Sequence, residues 1–574
     1  MRRALWLGGA LLAYSALAVY VFRSALGTGS SAWIGGPGDA EIMMWYLAWN
    51  PFALLHHHDP LLTTYIHYPV VLNTLWNPSL VFPSLVAAPL TLVAGPIVSY
   101  NLLATAAFPL AAWLAMLALL RFVDNPLPAF AGGLLYGFSP YMFAHQGGHL
   151  PLILAAAFPP VMLIAWHEIL VRQRWAWPWP GFLLGFSAVA LLLTAEEVLA
   201  VAAVISACGF VLLLALSRRR QIRERWPRAA SELTVALITF VLLAAVPLYF
   251  ELRGPGRLTG FVQAPNTYVS DLLAFVTPPS GLVFSTSRAA AVVAQFTGNG
   301  AENNAYVGVP LLLLLLLAVV LLRRRREMWW AALAFLGTAL LSMGPSLHLG
   351  GRDTLLRLPW RYIAKLPLMQ NVLPSRMMVF GYLFLALVLG LLVDAGLRRR
   401  EAPLRVATVA AAGLALLPLL QPGGFTTTAD PVPAFFTTSA ERAIPDGSVV
   451  VLGPASGARG MRWQAAGGLR FRQPGGLGFF PPNTFGAPSS PLVDALTQIE
   501  LGRPAPALTP AERSALLADL RALGASAVIV GPTQTAGVLP TAPASAEAIE
   551  VAFFTDLLGR APEQEGGVYV WWHP

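Results

Sequence analysis

"RRALWLGGALLAYSALAVYVF", residues 2–22, places two arginines directly before a long apolar run. A helix of about 20 apolar residues crosses a hydrocarbon core of roughly 30 Å. The run is too long for the apolar core of a secretory signal, about 7–15 residues, and it has no small-x-small cleavage site. It therefore predicts a retained first membrane span, with the arginines and the N-terminus on the cytoplasmic side.

The rest of the chain repeats this pattern. Of its 574 residues, 56% are hydrophobic and only 11% are charged, whereas soluble domains are nearer a quarter charged. Apolar runs recur along the first three quarters, which predicts a multi-pass α-helical protein of the lipid bilayer. The formal charge of +9 comes from arginines in short loops between these runs, so it indicates membrane orientation rather than nucleic-acid binding. The single cysteine, Cys208, excludes an internal disulfide.

The arginine clusters orient the spans. If every cluster is cytoplasmic, the spans alternate consistently and number about eleven, which leaves the C-terminal part outside. The predicted spans are 4–23, 98–120, 128–144, 151–171, 180–195, 197–217, 231–251, 305–322, 328–344, 376–397 and 403–421. Segment 79–95 is also apolar, but a crossing there would place every later arginine cluster outside. We therefore predict a re-entrant or interface-lying pair of short helices in this segment, broken at Pro83 and Pro89.

Two regions follow from this topology. Residues 1–421 form a membrane domain whose outer loops are long, and the first of them, 24–97, contains no lysine or arginine. Residues 422–574 are predicted to form a small extracytoplasmic α/β domain. Its β-rich runs "GSVVVLGP" (447–454) and "ASAVIVGP" (525–532) end in Gly-Pro turns, and a helix with period-3.6 leucines lies between them.

Ionisable residues collect at the outer face of this arrangement. Six of them are candidate site residues: Asp39, Glu41, His149, Glu196, Glu197 and Arg376. Charged groups near hydrocarbon are costly unless they are paired or hydrated, so they tend to mark sites. In a shared polar cavity, an aspartate can act as general base toward a sugar hydroxyl, and an arginine can neutralise the phosphate of a lipid-linked donor. Asp271 and Glu302 lie on the same face, and we expect them to be structural or solvent-facing.

Each candidate also has an interpretation that involves no chemistry. Asp39 could cap the helix that follows "GGPG". Glu196 and Glu197 could occupy a solvated turn. His149 could be an interfacial polar residue, and Arg376 could extend to the lipid headgroups.

The stretch "HHHDP" (56–60) has the composition of a metal site. Adjacent histidines on a helix point about 100° apart, so at most two could share one ion without strain. Asp59-Pro60 is better explained as the end of a helix. We therefore predict no metal and no other cofactor.

Eight stretches carry a resemblance to a known family. They are "GDAEIMMWYLAW" (38–49), "HYPVVLNTLWNP" (67–78), "AGGLLYGFSPYMFAHQGGHLPLIL" (131–154), "TAEEVLA" (194–200), "AYVGVPLLLLLLL" (305–317), "LSMGPSLHLGG" (341–351), "LPSRMMVF" (373–380) and "GMRWQAAGGLRFRQPGG" (460–476). Together they resemble the GT-C superfamily of membrane glycosyltransferases, in particular bacterial members related to the polyprenyl-phosphate-sugar mannosyl- and arabinosyltransferases.

The resemblance implies a catalytic acid in the first outer loop, a polyprenyl-phosphate-linked sugar donor and inverting transfer. Asp39 matches the position of that acid best, and Glu41 is second. The candidate substrate-binding residues are Glu196, Glu197, Arg376 and His149. The expected protein is a glycosyltransferase of the bacterial plasma membrane that delivers a sugar to a glycan, lipid or protein acceptor outside the cell.

Two functions from other classes compete with this hypothesis. A transporter or flippase of lipid-linked saccharides predicts discontinuous helices at the bilayer midplane and internal repeat symmetry. A non-enzymatic scaffold that presents the C-terminal domain predicts no common cavity for the acids. Whether Asp39, Glu196, Glu197 and Arg376 share one cavity therefore separates the scaffold from the transferase.

Overall fold

Helices account for most of the computed structural model, which describes residues 2–421, 425–429, 432–532 and 546–574. The helices are α1 (Arg2–Leu26), α2 (Asp39–Leu55), α3 (Val81–Leu119), α4 (Pro126–Gly137), α5 (Pro140–His145), α6 (Leu150–Ala155), α7 (Phe158–His167), α8 (Trp179–Leu216), α9 (Arg219–Arg253), α10 (Ser287–Val293), α11 (Val309–Leu321), α12 (Arg326–Ser342), α13 (Trp360–Ile363), α14 (Met378–Leu397), α15 (Ala402–Leu416), α16 (Arg459–Ala466), α17 (Pro491–Glu500), α18 (Pro510–Leu523) and α19 (Ala546–Leu558).

Short strands connect and cap these helices. The strands are β1 (Ala32–Ile34), β2 (Leu62–Thr63), β3 (Leu72–Asn73), β4 (Ser346–Leu349), β5 (Arg352–Arg357), β6 (Thr427–Ala429), β7 (Val449–Gly453), β8 (Gly478–Phe480), β9 (Thr484–Gly486), β10 (Ala525–Val530), β11 (Glu563–Glu565) and β12 (Val568–Trp572). Four strands form one sheet in the order β11-β12-β10-β7, and the others pair as β1-β6, β2-β3, β4-β5 and β8-β9.

Seven helical stretches of the described chain are long and apolar enough to span a membrane. They are Ala4–Leu26, Val81–Leu119, Leu150–Arg172, Trp179–Leu216, Arg219–Arg253, Pro374–Leu397 and Ala402–Leu419. The predicted spans 128–144, 305–322 and 328–344 correspond to shorter helices, namely α4 with α5, α11, and α12. The structure therefore supports a helical membrane protein, while the number of crossings stays a prediction.

Gly95 divides α3 into two arms. Its φ of 84° and ψ of 166° are not helical, and glycine adopts a positive φ readily because it has no Cβ. The arm before it contains Pro83 and Pro89 in one continuous helix. The predicted pair of short helices broken at those prolines is therefore wrong. Pro83 lies in the first turn, where a missing N–H costs little, and across the actual break the Thr91 hydroxyl donates to the Ser99 hydroxyl at 2.9 Å.

Ala195 divides α8 into two antiparallel arms. Its φ of −159° and ψ of 90° are extended rather than helical. At the start of the first arm, the Gly181 N–H donates to Glu232 at 2.9 Å. In the second arm, the ring of Phe210 lies 6.5 Å from that of Trp226. Both partners belong to the first half of α9, so the chain reverses at Ala195, as the sequence predicts between spans 180–195 and 197–217.

The four-stranded sheet lies in the C-terminal part of the chain. The strands predicted from "GSVVVLGP" and "ASAVIVGP" are β7 and β10, and they run parallel. Between them, α18 begins with a capping box in which the Thr509 hydroxyl accepts the Glu512 N–H. Neighbouring residues of β7, Val450 and Val451, belong to two different apolar clusters, one on each face of the sheet. The boundary of this domain at residue 422 stays a prediction.

Helix α16 joins this C-terminal part to the first outer loop. The Trp45 indole N–H donates to Gln464 Oε1 at 2.6 Å, and Gln464 Nε2 donates to the Tyr65 carbonyl at 2.9 Å. The Arg462 guanidinium lies 4.7 Å from the centre of the Trp33 ring. These contacts fix the C-terminal part against α2, the helix that begins at Asp39.

Candidate active site

One cavity of about 1120 Å³ collects most of the candidate residues. The acidic, histidine and arginine side chains in its wall are Asp39, His149, Glu196, Glu197, Glu251, Glu302 and Arg376. They come from the start of α2, the turn before α6, the reversal of α8, the end of α9, the loop before α11 and the start of the stretch that leads into α14. The scaffold hypothesis predicted that the acids share no cavity, and this prediction is wrong.

Asp39 is the first residue of α2 rather than its cap. The N-cap is Gly38, which has a φ of 98°. Glu41 reaches back, and its Oε2 accepts the Gly38 N–H at 2.9 Å. Its Oε1 lies 4.0 Å from the Arg462 guanidinium. Because Glu41 is buried and occupied in this way, the geometry gives it no catalytic role, and Asp39 is left to face the cavity.

Close backbone packing brings His149 to Asp39. A Cβ atom on Gly35 would lie 2.5 Å from the Gly147 carbonyl oxygen, and one on Gly148 would lie 2.9 Å from the Asp39 Cβ atom. Only glycine lets the two segments approach so closely. As a result, His149 Nε2 lies 3.2 Å from Asp39 Oδ2. The interpretation of His149 as merely interfacial is therefore wrong.

We expect Gly35→Ala to destabilise the protein by about 1–3 kcal/mol, the usual cost of overpacking. The added methyl group would collide with the Gly147 backbone, and the φ of 95° at position 35 disfavours alanine. Gly36→Ala is the matched control, because a Cβ there meets nothing within 4 Å. Thermal unfolding midpoints in detergent would measure the difference, and equal midpoints for the two variants would contradict the packing argument.

A chain of hydrogen bonds leads from Asn304 to Asp39. Asn304 Nδ2 lies 3.0 Å from His145 Nε2, and the Nδ1 atoms of His145 and His149 are 2.8 Å apart. An amide nitrogen only donates, so neutral rings allow one assignment of the protons. His145 Nε2 accepts, His145 Nδ1–H donates to His149, and His149 Nε2–H donates to Asp39. This series of hydrogen bonds therefore places a proton donor, His149 Nε2–H, next to the Asp39 carboxylate.

Asp39 is ionised at neutral pH. Its side chain is 37% exposed, and it lines the cavity. Burial raises the pKa of the carboxyl group, but the hydrogen bond from His149 and the charge of Arg376 outweigh it. The net pKa lies below the ordinary value of 3.8. A carboxylate that is charged and open to a cavity can accept a proton from a bound hydroxyl group.

Arg376 is held between two carboxylates. Its Nε and Nη2 donate to Glu302 Oε1 at 2.9 and 2.6 Å, and its Nη1 donates to Glu197. Ser375 Oγ donates to the other Glu302 oxygen at 2.8 Å. Glu302 is therefore buried in the wall of the site, where it holds Arg376 in place, so of its two expected roles the structural one fits and the solvent-facing one is wrong. The interpretation of Arg376 as extending to the lipid headgroups is also wrong.

The charge of Arg376 is already offset inside the protein. Burial raises the pKa of Glu302, but the adjacent guanidinium lowers it to about 2, so this carboxyl group is ionised. Three of the five N–H groups of a guanidinium are used in these bonds. The predicted role of Arg376 on a donor phosphate is therefore reduced to the two remaining N–H groups, and its charge is shared with two carboxylates.

Glu196 and Glu197 lie at the reversal of α8. Glu197 accepts the Leu373 N–H and the bond from Arg376, so its interpretation as part of a solvated turn is wrong. Glu196 lines the cavity together with Glu251. Asp271 lies elsewhere and caps a short 3₁₀ turn, where its Oδ1 accepts the Leu273 N–H at 2.8 Å, in line with the structural role expected for it.

His145, His149 and Glu302 also form a group that could hold a metal ion, since their ligand atoms lie within 4.8 Å of one another. Each of the three also has a protein hydrogen-bond partner, and the expectation that no metal binds stays a prediction. The three histidines of "HHHDP" lie elsewhere, directly after α2. That helix ends at Leu55, four residues before the Asp59-Pro60 boundary that the sequence predicts.

The C-terminal part also contributes side chains to the wall of the cavity. The hairpin β8–β9 supplies Phe479, Asn483 and Phe485 to its wall. Asn77 binds this hairpin, since its Oδ1 accepts the Phe479 N–H at 2.7 Å and its Nδ2 donates to the Phe479 carbonyl at 3.1 Å. Within "HYPVVLNTLWNP" the residue that binds the hairpin is Asn77, and its partner lies 402 residues away.

A mostly apolar cavity of about 380 Å³ continues from the site, and its wall also includes His167, Arg225, Arg326 and Glu327. It shares Met162, Trp166, Ser206 and Phe210 with the larger cavity. It follows α7 and the second arm of α8. From Glu197 to Phe210, the second arm of α8 rises roughly 20 Å, at about 1.5 Å per residue. An apolar passage therefore leads away from the acids along the helices.

Comparison with known proteins indicates the fold. A family model described as "Domain of unknown function (DUF6311)" matches residues 10–425. No protein of curated function matches the chain. Among solved structures, the mycobacterial arabinofuranosyltransferase AftD is similar over 93% of this chain, with a TM-score of 0.50 and 16% identity, and the chain covers 37% of AftD. An Archaeoglobus fulgidus oligosaccharyltransferase is similar over 96% of this chain and 69% of its own length, with a TM-score of 0.47 and 12% identity. The likeness to AftD supports a GT-C-like fold.

Proposed function

This chain belongs to the DUF6311 family, and we propose that it is a membrane glycosyltransferase which moves a sugar from a polyprenyl-phosphate carrier to a cell-envelope acceptor. One observation carries the proposal. The Asp39 carboxylate, hydrogen-bonded by His149, opens into a cavity that continues as an apolar passage. In this proposal the protein lies in the bacterial plasma membrane, and the cavity and the C-terminal domain are on the extracytoplasmic side.

Asp39 acts as the general base. It takes the proton from an acceptor hydroxyl group as that oxygen attacks the anomeric carbon of the donor sugar. The bond between the anomeric carbon and the phosphate oxygen breaks, and its electron pair leaves with the polyprenyl phosphate. Attack from the face opposite the leaving group inverts the anomeric configuration. His149 holds Asp39 in the orientation that accepts the proton.

Arg376 stabilises the leaving phosphate. Its two remaining N–H groups donate to the phosphate oxygens while negative charge builds on them. Glu197 and Glu302 fix the plane of the guanidinium, so the donors are in place before the reaction. Glu196, which pairs with no arginine among the residues that the structure describes, positions the acceptor from the same wall. The proposal includes no metal and no other cofactor.

The two ends of the cavity suit the two substrates. The apolar passage beside Trp166 and Phe210 accommodates the polyprenyl chain. The β8–β9 hairpin lines the larger cavity but not the apolar passage, and it presents Phe479 and Phe485, whose ring centres are 4.7 Å apart. Aromatic faces of this kind pack against sugar rings, so the hairpin is the side from which a glycan, lipid or protein acceptor enters.

Transfer from a labelled donor tests this proposal. The full chain in liposomes would receive a polyprenyl-monophosphate pentose or hexose, radiolabelled in the sugar, together with a cell-envelope extract. We expect label to move to the acceptor while free polyprenyl phosphate accumulates. Label that crosses the bilayer while still attached to its lipid would instead support the lipid-linked saccharide transporter.

A further inference from the structure

The hairpin β4–β5 contains a bulge that pushes two leucines outward. His348 pairs with Asp353. The next pair is Ser346 with Arg357, so three residues of β5 lie opposite one residue of β4. Within this stretch, Leu355 has a φ of 62°, which is rare for a residue other than glycine. Asp353 Oδ1 accepts the Leu355 N–H at 2.8 Å, so the bulge is held by specific bonds.

The extruded segment exposes a row of apolar side chains. Leu355 is 81% exposed and Leu356 is 58% exposed. Farther along, Tyr362 and Leu366 are 66% and 55% exposed. Trp360 lies between the two pairs and is 2% exposed, so it anchors the segment to the protein. Several large apolar side chains exposed within one short segment indicate contact with another molecule or with a membrane.

Positive charges alternate with these apolar residues. Four exposed cations lie in the segment: Arg352, Arg357, Arg361 and Lys365. Among the residues that the structure describes, none of the four forms an ion pair with an acid. The one acid of the segment, Asp353, already accepts from Ser346 and Asn266. Four cations and one acid leave a net charge of +3, which suits an anionic partner.

The segment lies beside the mouth of the acidic cavity. It connects α12, which ends at Ser342, to α14, which begins at Met378. Leu368 and Met369, which follow it directly, line the cavity. Basic residues are normally depleted from loops on the outer face. The first loop on this face, 24–97, contains none, and the loop 252–304 contains three over a much longer stretch, Arg253, Arg257 and Arg288. These cations therefore need an explanation other than orientation.

We propose that residues 352–366 dock onto the bilayer leaflet at the mouth of the cavity and bind anionic lipid headgroups. Leu355, Leu356 and Tyr362 enter the boundary between headgroups and acyl chains, and the cations contact the phosphates. A leaflet suits this surface better than a protein partner, because apolar and basic residues alternate and both flanking helices are apolar. The inference stands independently of the proposed reaction.

Depth-dependent quenching tests the docking. In the full chain with Cys208→Ser, a cysteine at Leu355 would carry an environment-sensitive fluorophore, and the protein would be placed in liposomes with nitroxide-labelled lipids. We expect blue-shifted emission and strong quenching by a nitroxide near the headgroups. Ser514→Cys on the exposed face of α18 is the aqueous control, and Val211→Cys, at a position of α8 that is 63% exposed, is the lipid control.

Anionic lipid is the second variable. Phosphatidylglycerol in the vesicles should increase the quenching at position 355 several-fold, and the triple variant Arg357→Gln, Arg361→Gln, Lys365→Gln should abolish that increase. Quenching no stronger than at Ser514 in both kinds of vesicle would overturn the docking. Equal quenching in neutral and anionic vesicles would overturn the recognition of headgroups. A label shielded from both aqueous and lipid quenchers would indicate a protein partner and would also overturn the proposal.

Discussion

Asp39→Asn is expected to lower the rate of sugar transfer by about 10²–10⁴-fold, the usual contribution of a general base. Asparagine keeps the shape of the side chain, and its Oδ1 can still accept the hydrogen bond from His149. The fold and donor binding should therefore survive, while the proton of the acceptor has no base. Initial rates in liposomes at saturating donor, with equal amounts of protein, would measure the effect.

Glu41→Gln is the matched control, because it changes the neighbouring acid in the same way. The glutamine side-chain oxygen can still accept the Gly38 N–H, but the negative charge beside the buried Arg462 is lost, so the rates are compared at equal amounts of folded protein. We expect this variant to keep most of the activity. An active Asp39→Asn variant would remove Asp39 as the base, and equal losses in both variants would show that the start of the helix, rather than a base, was disturbed.

Arg376→Met is expected to destabilise the protein by about 3–5 kcal/mol, because removing one partner of a buried ion pair leaves the other charge uncompensated. Here two carboxylates, Glu197 and Glu302, would lose their common cation. The arginine side chain is only 18% exposed, so water cannot replace it fully. A large fall in the thermal unfolding midpoint in detergent is the expected measurement.

Arg220→Met serves as the control for a lost guanidinium. Arg220 pairs with Glu224 on an exposed turn of α9, and such pairs contribute about 0.3–0.5 kcal/mol. Adding Glu302→Gln to Arg376→Met should restore part of the lost midpoint, since one buried charge is removed. If Arg376→Met and Arg220→Met lower the midpoint equally, the buried cluster does not contribute as described.

The sequence predicted the members of the site better than their contacts. Arginine clusters alone placed Asp39, His149, Glu197 and Arg376 at one face, because the alternation of spans follows from charge and hydropathy. The alternation of spans also predicted that α8 reverses its direction beside Glu196. These features depend on patterns within a few residues, and a single sequence contains them.

Contacts between distant segments could not be predicted from such local patterns. Glu302 was expected to be structural or solvent-facing, and its pairing with Arg376 joins residues 74 apart in the chain. The capping role of Glu41 was not predicted either. It depends on the positive φ of Gly38 and on Arg462, which lies far away in the chain. The β8–β9 hairpin reaches the cavity through Asn77, whose amide pairs with a backbone segment that no local periodicity specifies.

Photo-crosslinking tests most directly whether the acidic cavity holds a lipid-phosphate sugar. The probe is a polyprenyl-phosphate sugar with a diazirine on its first isoprenyl unit, incubated with the full chain in liposomes and located by mass spectrometry. The account predicts labelled peptides from the start of α2 and the second arm of α8, where Met43, Leu199 and Ala203 line the cavity, and loss of this label with excess unlabelled donor. Label confined to the lipid-facing surfaces of α9 and α15, and unchanged by competing donor, would contradict it.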